Sequence, residues 1–513
     1  MKKETARSSQ TDYAKLHQIS REARVFQGIS SVLNWDQETY MPLGADAIRS
    51  EQFKELAGLI HQKRTSKRFQ SALNKLIDIS SGDIVANDLS AEQIAALKCW
   101  RRDYLQEVSL PKRFVEELSH LTSHTVNVWR NARKANDFKL LAPHLKKIIQ
   151  LSRKKADYLG YQDHPYDALI DLYEPHMTTK SIQSLFDPLR TSLSSLVKQV
   201  VNKQNASGGL ENHFLFSNFS TEQQLAFSSR LLDDMGYDLT KGRLDLSTHP
   251  FSSASHPTDS RITTRIHATG LMSNISAVLH EAGHGLYEMG LLSEHYGSPL
   301  CEAISFGFHE SQSRWWETLI GLSRPFWQYY FPILQNYFKG QLNSVSFEQF
   351  YQAINKVEPS LIRIESDELT YPLHIIVRFE LEKQLIEGTL AVKDIPQAWN
   401  EKMQELLGVT PKTDAEGCLQ DIHWSCGYFG YFPSYALGNM YAAHLFEGFQ
   451  RDCPDWQTRI SSGQLIFVTE WLRKHVYQHG RRYSSLELLQ QVSKKPFTSE
   501  AYLGYLSNKY HTT

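Results

Sequence analysis

Cysteine is scarce in this chain: Cys99, Cys301, Cys418, Cys426 and Cys453 are the only five in 513 residues. Their number is odd and none stand at C-x-x-C spacing, which argues against a disulfide framework or a cysteine-ligated zinc and for a reducing compartment. A charge excess is missing as well. Fifty-five Lys and Arg against 56 Asp and Glu leave a formal charge of −1, without the basic surplus that nucleic acid or an anionic membrane surface calls for. No apolar run approaches the roughly 18 residues of a membrane span, and none follows Met1-Lys2-Lys3 as a secretory leader requires. The expectation is a soluble, cytoplasmic protein. No Pro/Gly/Ser-rich linker divides the chain, so its length reads as one large helical body or two closely packed lobes.

What is present is helical rhythm. From Tyr13, apolar residues recur at Leu16, Ile19, Ala23, Phe26, Ile29 and Leu33, the three-and-four spacing of a buried helix face. The polar residues 1–12 ahead of it are expected to be disordered. Pro42 and Gly44 end this passage, and a second helix is expected through Ile48, Leu56, Leu59 and Ile60. Ser90 with Gln93 forms a capping box, and Ser109 with Pro111 marks another start. Up to about residue 205 only helices and short turns are predicted. In this region Trp35 and Asp36 read as a packed corner, and the lysines and arginines from Lys146 to Lys155 as a solvated helix face.

The rhythm breaks around Asn205–Gly209, and after a helix near Glu222 to Met235 two segments alternate with period two, Arg243–Thr248 and Arg261–Ile266. The second places Ile262, Thr264 and Ile266 on one face and Arg261, Thr263 and Arg265 on the other. It reads either as an edge strand able to pair with an extended peptide or as a plain surface strand. Beyond Glu317 helices resume, interrupted at Leu361–Leu373 and at the aromatic stretch Gly417–Gly438.

Between the strands and those helices lies His280-Glu281-Ala282-Gly283-His284, the H-E-x-x-H spacing. Residues four apart share a helix face, so His280 and His284 can offer ring nitrogens to one metal ion from successive turns. Glu281, rotated by about 100°, leaves that row and is placed to act as general base toward water. Ile275, Leu279, Ala282 and Leu286 supply the apolar stripe that docks the helix. A site of this type needs a third protein ligand. The next helix, read over Cys301–Glu317, offers Glu302, Glu310 and Glu317, and spacing does not choose among them.

Further motifs accompany this one in order: Asp259-Ser260-Arg261-Ile262-Thr263, His309-Glu310-Ser311-Gln312, Ile362-Arg363-Ile364-Glu365-Ser366-Asp367, and Gly417-Cys418-Leu419-Gln420-Asp421-Ile422-His423-Trp424. With Trp35-Asp36-Gln37-Glu38-Thr39 near the start, the chain from about residue 13 to its end resembles the M32 metallocarboxypeptidases, the carboxypeptidase Taq family. Ser366 stands where that family usually has alanine. The resemblance implies a mainly α, cleft-containing, gluzincin-like metallopeptidase fold with a small β-sheet beside the active-site helix. It implies one domain over 13–513, with a helical N-terminal region to about 205 and a catalytic core after it. It makes Glu310 the third ligand of one divalent ion, zinc first and cobalt as an alternative. It also implies a homodimer that releases C-terminal residues from peptides broadly.

The same chemistry asks for an oxyanion donor, for which Tyr435 and His423 are the candidates, Tyr435 being favoured by the resemblance. A carboxypeptidase must also hold a free carboxylate, for which a bidentate arginine is suited. Arg363 is the first candidate and Arg261 the second. The alternative reading is a zinc oligopeptidase that needs no free C-terminus.

Overall fold

Helices carry most of the chain, as the apolar spacing predicts. The computed structural model describes residues 2–206 and 210–512, so Ser207, Gly208 and Gly209 of the expected break at Asn205–Gly209 lie outside the described residues. The first eight helices are α1 (Lys2–Thr39), α2 (Asp46–Arg64), α3 (Lys67–Asn74), α4 (Ala91–Ser109), α5 (Lys112–Ala135), α6 (Phe138–Leu159), α7 (Pro165–Ile170) and α8 (Thr179–Ala206). Then come α9 (Thr221–Asp234), three strands, α10 (Leu271–Gly290) and α11 (Phe306–Arg314). The remainder is α12 (Arg324–Tyr337), α13 (Lys339–Leu342), α14 (Phe347–Ile354), α15 (Tyr371–Glu387), α16 (Ile395–Leu407), α17 (Phe432–Asp452), α18 (Trp456–Ser461), α19 (Ile466–His475), α20 (Ser485–Ser493) and α21 (Glu500–Thr512).

Helix α1 starts well before Tyr13, within the segment expected to be disordered. Its polar side chains find partners that composition does not reveal. Gln10 donates to the Asp88 carbonyl at 2.9 Å and accepts from Gln93 at 2.9 Å, next to the Ser90–Gln93 capping box of α4. Leu16, Ile19, Phe69, Leu73, Leu97 and Trp100 form an apolar cluster of α1, α3 and α4, in which Leu300 is the only buried member from beyond residue 104 among the described residues. A much larger core runs from Ala132 to Tyr510 and crosses the expected boundary near residue 205. The expected second helix exposes Ile48 and Leu59, and α1 exposes Ile29.

The strands are β1 (Gly242–Leu246), β2 (Ser252–His256) and β3 (Asp259–Thr264), in the order β1-β3-β2. β3 pairs parallel with β1 and antiparallel with β2, so the strand expected at a sheet edge is the central one. Its surplus of polar residues is absorbed: Thr264 donates to Asn274 on α10 at 2.8 Å, and Ser260 to the Gly285 carbonyl at 3.3 Å. The overlooked strand, Ser-Ser-Ala-Ser-His, is half-buried throughout and has no apolar alternation to announce it. It is β2, with Phe251 just before it, that reaches the cleft described below.

Candidate metal centre and its surroundings

Ile275, Leu279, Ala282 and Leu286 are all buried, which seats α10 and turns His280 and His284 toward α11. The approach is close enough to constrain backbone. A Cβ on Gly283 would stand 2.3 Å from the Gln312 carbonyl oxygen of α11, and one on Gly438 of α17 would stand 2.7 Å from Glu310 Cγ. Helix α11 is thus held between two glycine-lined neighbours. Ser305 caps it by accepting the Phe308 amide at 3.0 Å, so it begins at Phe306 rather than at Cys301.

Nε2 of His280 and Nε2 of His284 lie 3.7 and 3.5 Å from Glu310 Oε2. These three donors stand within 4.8 Å of one another, the only group of this kind among the described residues. Ligands at about 2.0–2.1 Å from a tetrahedral ion are separated by roughly 3.3–3.5 Å, so the set fits a divalent ion with little adjustment. The other ring nitrogens are already committed. Nδ1 of His280 lies 2.8 Å from Glu317 Oε2, and Nδ1 of His284 lies 3.1 Å from the His309 carbonyl. Acceptors at Nδ1 place the proton there and leave Nε2 free for a metal. Glu317, an open alternative for third ligand, therefore sits behind His280, fixed by Arg314 at 2.6 Å. Its turn is π-helical, Trp315–Ile320, directly continuing α11. Glu302 instead pairs with Arg481 at 3.0 Å.

Charges in this cluster are mutually tuned. Burial, aided by Glu310 and Glu317, raises Glu281 to about 7 against the pull of His280. Burial opposes ionisation of Glu310 too, yet His280 and His284 hold it down at about 2. Burial alone would lower His280, but Glu310 and Glu317 carry it up to about 9, while burial and His309 push His284 down to about 4. The site opens into a cleft of about 1010 Å³ lined by His280, Glu281, His284, Glu310, Phe251, Tyr431 and Tyr435, with Arg24, Arg102 and Gln106 from α1 and α4 facing them.

Tyr435 lies in the first turn of α17 rather than in a loop, and burial keeps its hydroxyl protonated. Its oxygen is 3.2 Å from His423 Nε2. Burial, joined by Arg363 and Arg378, lowers His423 to about 3, so it is a neutral imidazole. The aromatic segment before α17 is tied down by the buried Glu382, which accepts from Trp424 at 2.8 Å, from the Gly430 amide at 2.9 Å and from Tyr166.

Neither candidate arginine is among the residues lining the cleft. Arg261 is paired with Asp259 at 2.8 and 3.1 Å and stacks 4.5 Å from the Trp35 ring centroid. Arg363 is buried beneath Tyr435, its Cζ 5.0 Å from that ring. Its Nε and Nη2 donate to Asp421 at 3.0 and 2.9 Å, and its Nη1 to the Tyr371 hydroxyl at 3.2 Å. Asp421 also receives Arg378. Two arginines thus share one aspartate, and burial together with Arg363 depresses even the Arg378 guanidinium to about 10. Arg378 and Glu317 were not assigned these roles from sequence. The i, i+4 spacing of His374 and Arg378 gives no hint of a partner more than forty residues away.

The comparisons with known proteins agree with this geometry. The family model of the Carboxypeptidase Taq (M32) metallopeptidases matches residues 15–510. Carboxypeptidase 1 of Bacillus subtilis is 37% identical over 480 residues, covering 94% of each chain. Thermostable carboxypeptidase 1 of Thermus thermophilus is 37% identical over 507 residues, covering 97% of this chain and 98% of its own. The crystal structure of the M32 carboxypeptidase from Deinococcus radiodurans R1 superposes with a TM-score of 0.93 at 38% identity over 98% of this chain and 99% of that one. With its helical body, small sheet and two-histidine, one-glutamate centre, the chain belongs to the M32 metallocarboxypeptidases, metal-dependent hydrolases of peptides.

Proposed function

We propose that this enzyme releases C-terminal residues from peptides with broad specificity, using His280, His284 and Glu310 to hold one divalent ion. The observation that carries the reading is the convergence of two Nε2 atoms and one carboxylate oxygen at near-tetrahedral spacing, with both Nδ1 atoms committed elsewhere. Zinc suits this donor set best, and cobalt is the other ion it accepts. Such an ion, when bound, acidifies water and polarises a carbonyl. Glu281, buried beside His280 and facing the cleft, takes the proton of the attacking water and passes it to the departing amine. Tyr435, a neutral phenol on the cleft wall, donates to the developing oxyanion. His423 accepts from that hydroxyl in the resting site and orients it.

Arg363 anchors the free C-terminal carboxylate in this reading. Its cluster carries two positive charges against one, and its Nη1 meets only a neutral tyrosine hydroxyl. Exchanging that acceptor for a carboxylate gains a charge-assisted contact of about 1.5–3 kcal/mol. Arg261 lacks such a surplus because Asp259 neutralises it. The test is kcat/KM for one peptide as free acid and as amide, with wild type and Arg363→Ala. Wild type should prefer the acid by about 10–150-fold and the variant far less, since each change deletes a partner of the same contact. Multiplying losses would move the anchor away from Arg363. Equal cleavage of the amide by wild type would favour an oligopeptidase. A homodimer completes the proposal, supported by the exposed apolar residues Ile29, Leu43 and Ile48 on and between α1 and α2; sedimentation velocity would read the mass.

A further inference from the structure

Glu174 is a buried carboxylate that no part of the mechanism above uses. It lies in the turn after α7 and is 1% exposed, and no ion pair among the described residues includes it. Its Oε1 accepts the Gly307 amide and the Ser434 hydroxyl, the latter at 2.9 Å, and its Oε2 accepts the Tyr441 hydroxyl at 3.2 Å. Gly307 is the second residue of α11, and Ser434 stands in the first turn of α17. The carboxylate is therefore placed at two helix N-termini at once, where the peptide dipoles favour negative charge. The backbone reinforces the link, because the Phe306 amide donates to the Tyr173 carbonyl at 3.1 Å. A Cβ on Gly307 would come within 2.7 Å of Glu174 Oε1, so a glycine is what admits the carboxylate.

Such a group is costly. Burial raises its pKa to about 7 in spite of those donors, and an unpaired buried acid is no asset to stability. What it gains is geometric. Gly307 is three residues from Glu310, Ser434 adjoins Tyr435, and the two helices meet where Gly438 faces the Glu310 side chain. We propose that Glu174 is a positioning residue of the reaction: it fixes the start of α11 against the start of α17, and so sets the metal-ligating Glu310 against the Tyr435 hydroxyl. The inference rests on the reading of Tyr435 as oxyanion donor.

The test is a cycle of Glu174→Gln, Tyr435→Phe and the double variant. It reads kcat, KM, metal content and melting temperature on one free-acid peptide at saturating metal. Glutamine keeps the shape and an acceptor but loses the charge. Glu174→Gln should lower kcat about tenfold with KM nearly unchanged and one ion retained, as expected for a misplaced group rather than a missing one. In the Tyr435→Phe background that loss should disappear, because the group being positioned is already gone. A wild-type kcat in Glu174→Gln, or an equal loss in both backgrounds, overturns the proposal. Tyr435→Phe with wild-type kcat instead overturns the reading it rests on. If Glu174→Gln does not fold, Ser434→Ala, which removes one contact on the α17 side, takes its place with the same readouts.

Discussion

Glu281 and Glu317 are carboxylates on opposite sides of His280, and their partners give them different duties. Glu281 faces the cleft with no side-chain donor bound to it among the described residues, whereas Glu317 accepts from His280 and from Arg314. Their amide variants should separate cleanly. Glu281→Gln should keep its metal and lose about 10²–10⁴-fold in kcat, since an amide cannot take the proton. Glu317→Gln should bind metal about 10–100-fold more weakly and recover turnover when metal is added in excess. Chelator titration beside steady-state kinetics distinguishes the two, and metal-insensitive loss in Glu317→Gln would contradict its orienting duty. At this scale the sequence was informative where spacing sets geometry: four residues along a helix bring two imidazoles together. Spacing does not choose among Glu302, Glu310 and Glu317, because that depends on how two helices cross, and only the family resemblance points to Glu310. Arg363 is named from sequence as first candidate for the carboxylate anchor, but its pairing with Asp421 is not legible there, because that aspartate comes from a loop 58 residues away.

Between elements, the crossing of α10 with α11 is what assembles the three donors. Gly283 occupies a position that the H-E-x-x-H pattern leaves open, yet only glycine clears the Gln312 carbonyl. Gly283→Ala should cost about 1–3 kcal/mol through overpacking, although alanine is the better helix former by about 1 kcal/mol. Urea unfolding of the metal-free protein checks the sign, and a stabilised variant would contradict the close approach. The helices themselves were legible from apolar spacing and from caps such as Ser90 with Gln93. The sheet was legible only in part. Two strands announce themselves by alternation, but β2 does not, and without it β3 reads equally as an edge strand or a plain surface strand rather than as the centre of a sheet.

For the whole molecule, pH acts through acids the fold buries. Glu174 and Glu382 are both raised from the usual 4.5 to about 7, chiefly by burial. Between those values the folded chain holds protons that the unfolded chain has released, so stability falls as pH rises through this window. Each group accounts for up to about 3 kcal/mol of that fall. Glu382→Gln should remove its own share, so urea unfolding of the metal-free protein at about pH 5 and about pH 8 should show a smaller difference in the variant. An unchanged difference would mean that Glu382 is ionised throughout.

Helices α1, α3 and α4 bury their own apolar cluster, and the rest of the body buries another. Besides the apolar contact of Leu300, ion pairs join α4 to that body: Arg481 with Asp103 at 2.7 Å, Arg482 with Glu92 at 2.9 Å, and Arg102 with Asp171 at 2.9 Å. Salt screens the part-exposed pair of Arg482 and Glu92 more than the buried pair of Arg481 and Asp103. Added salt therefore loosens the outer pair of this seam first, and the buried pair that borders the cleft keeps α4 anchored at salt concentrations that release its rim.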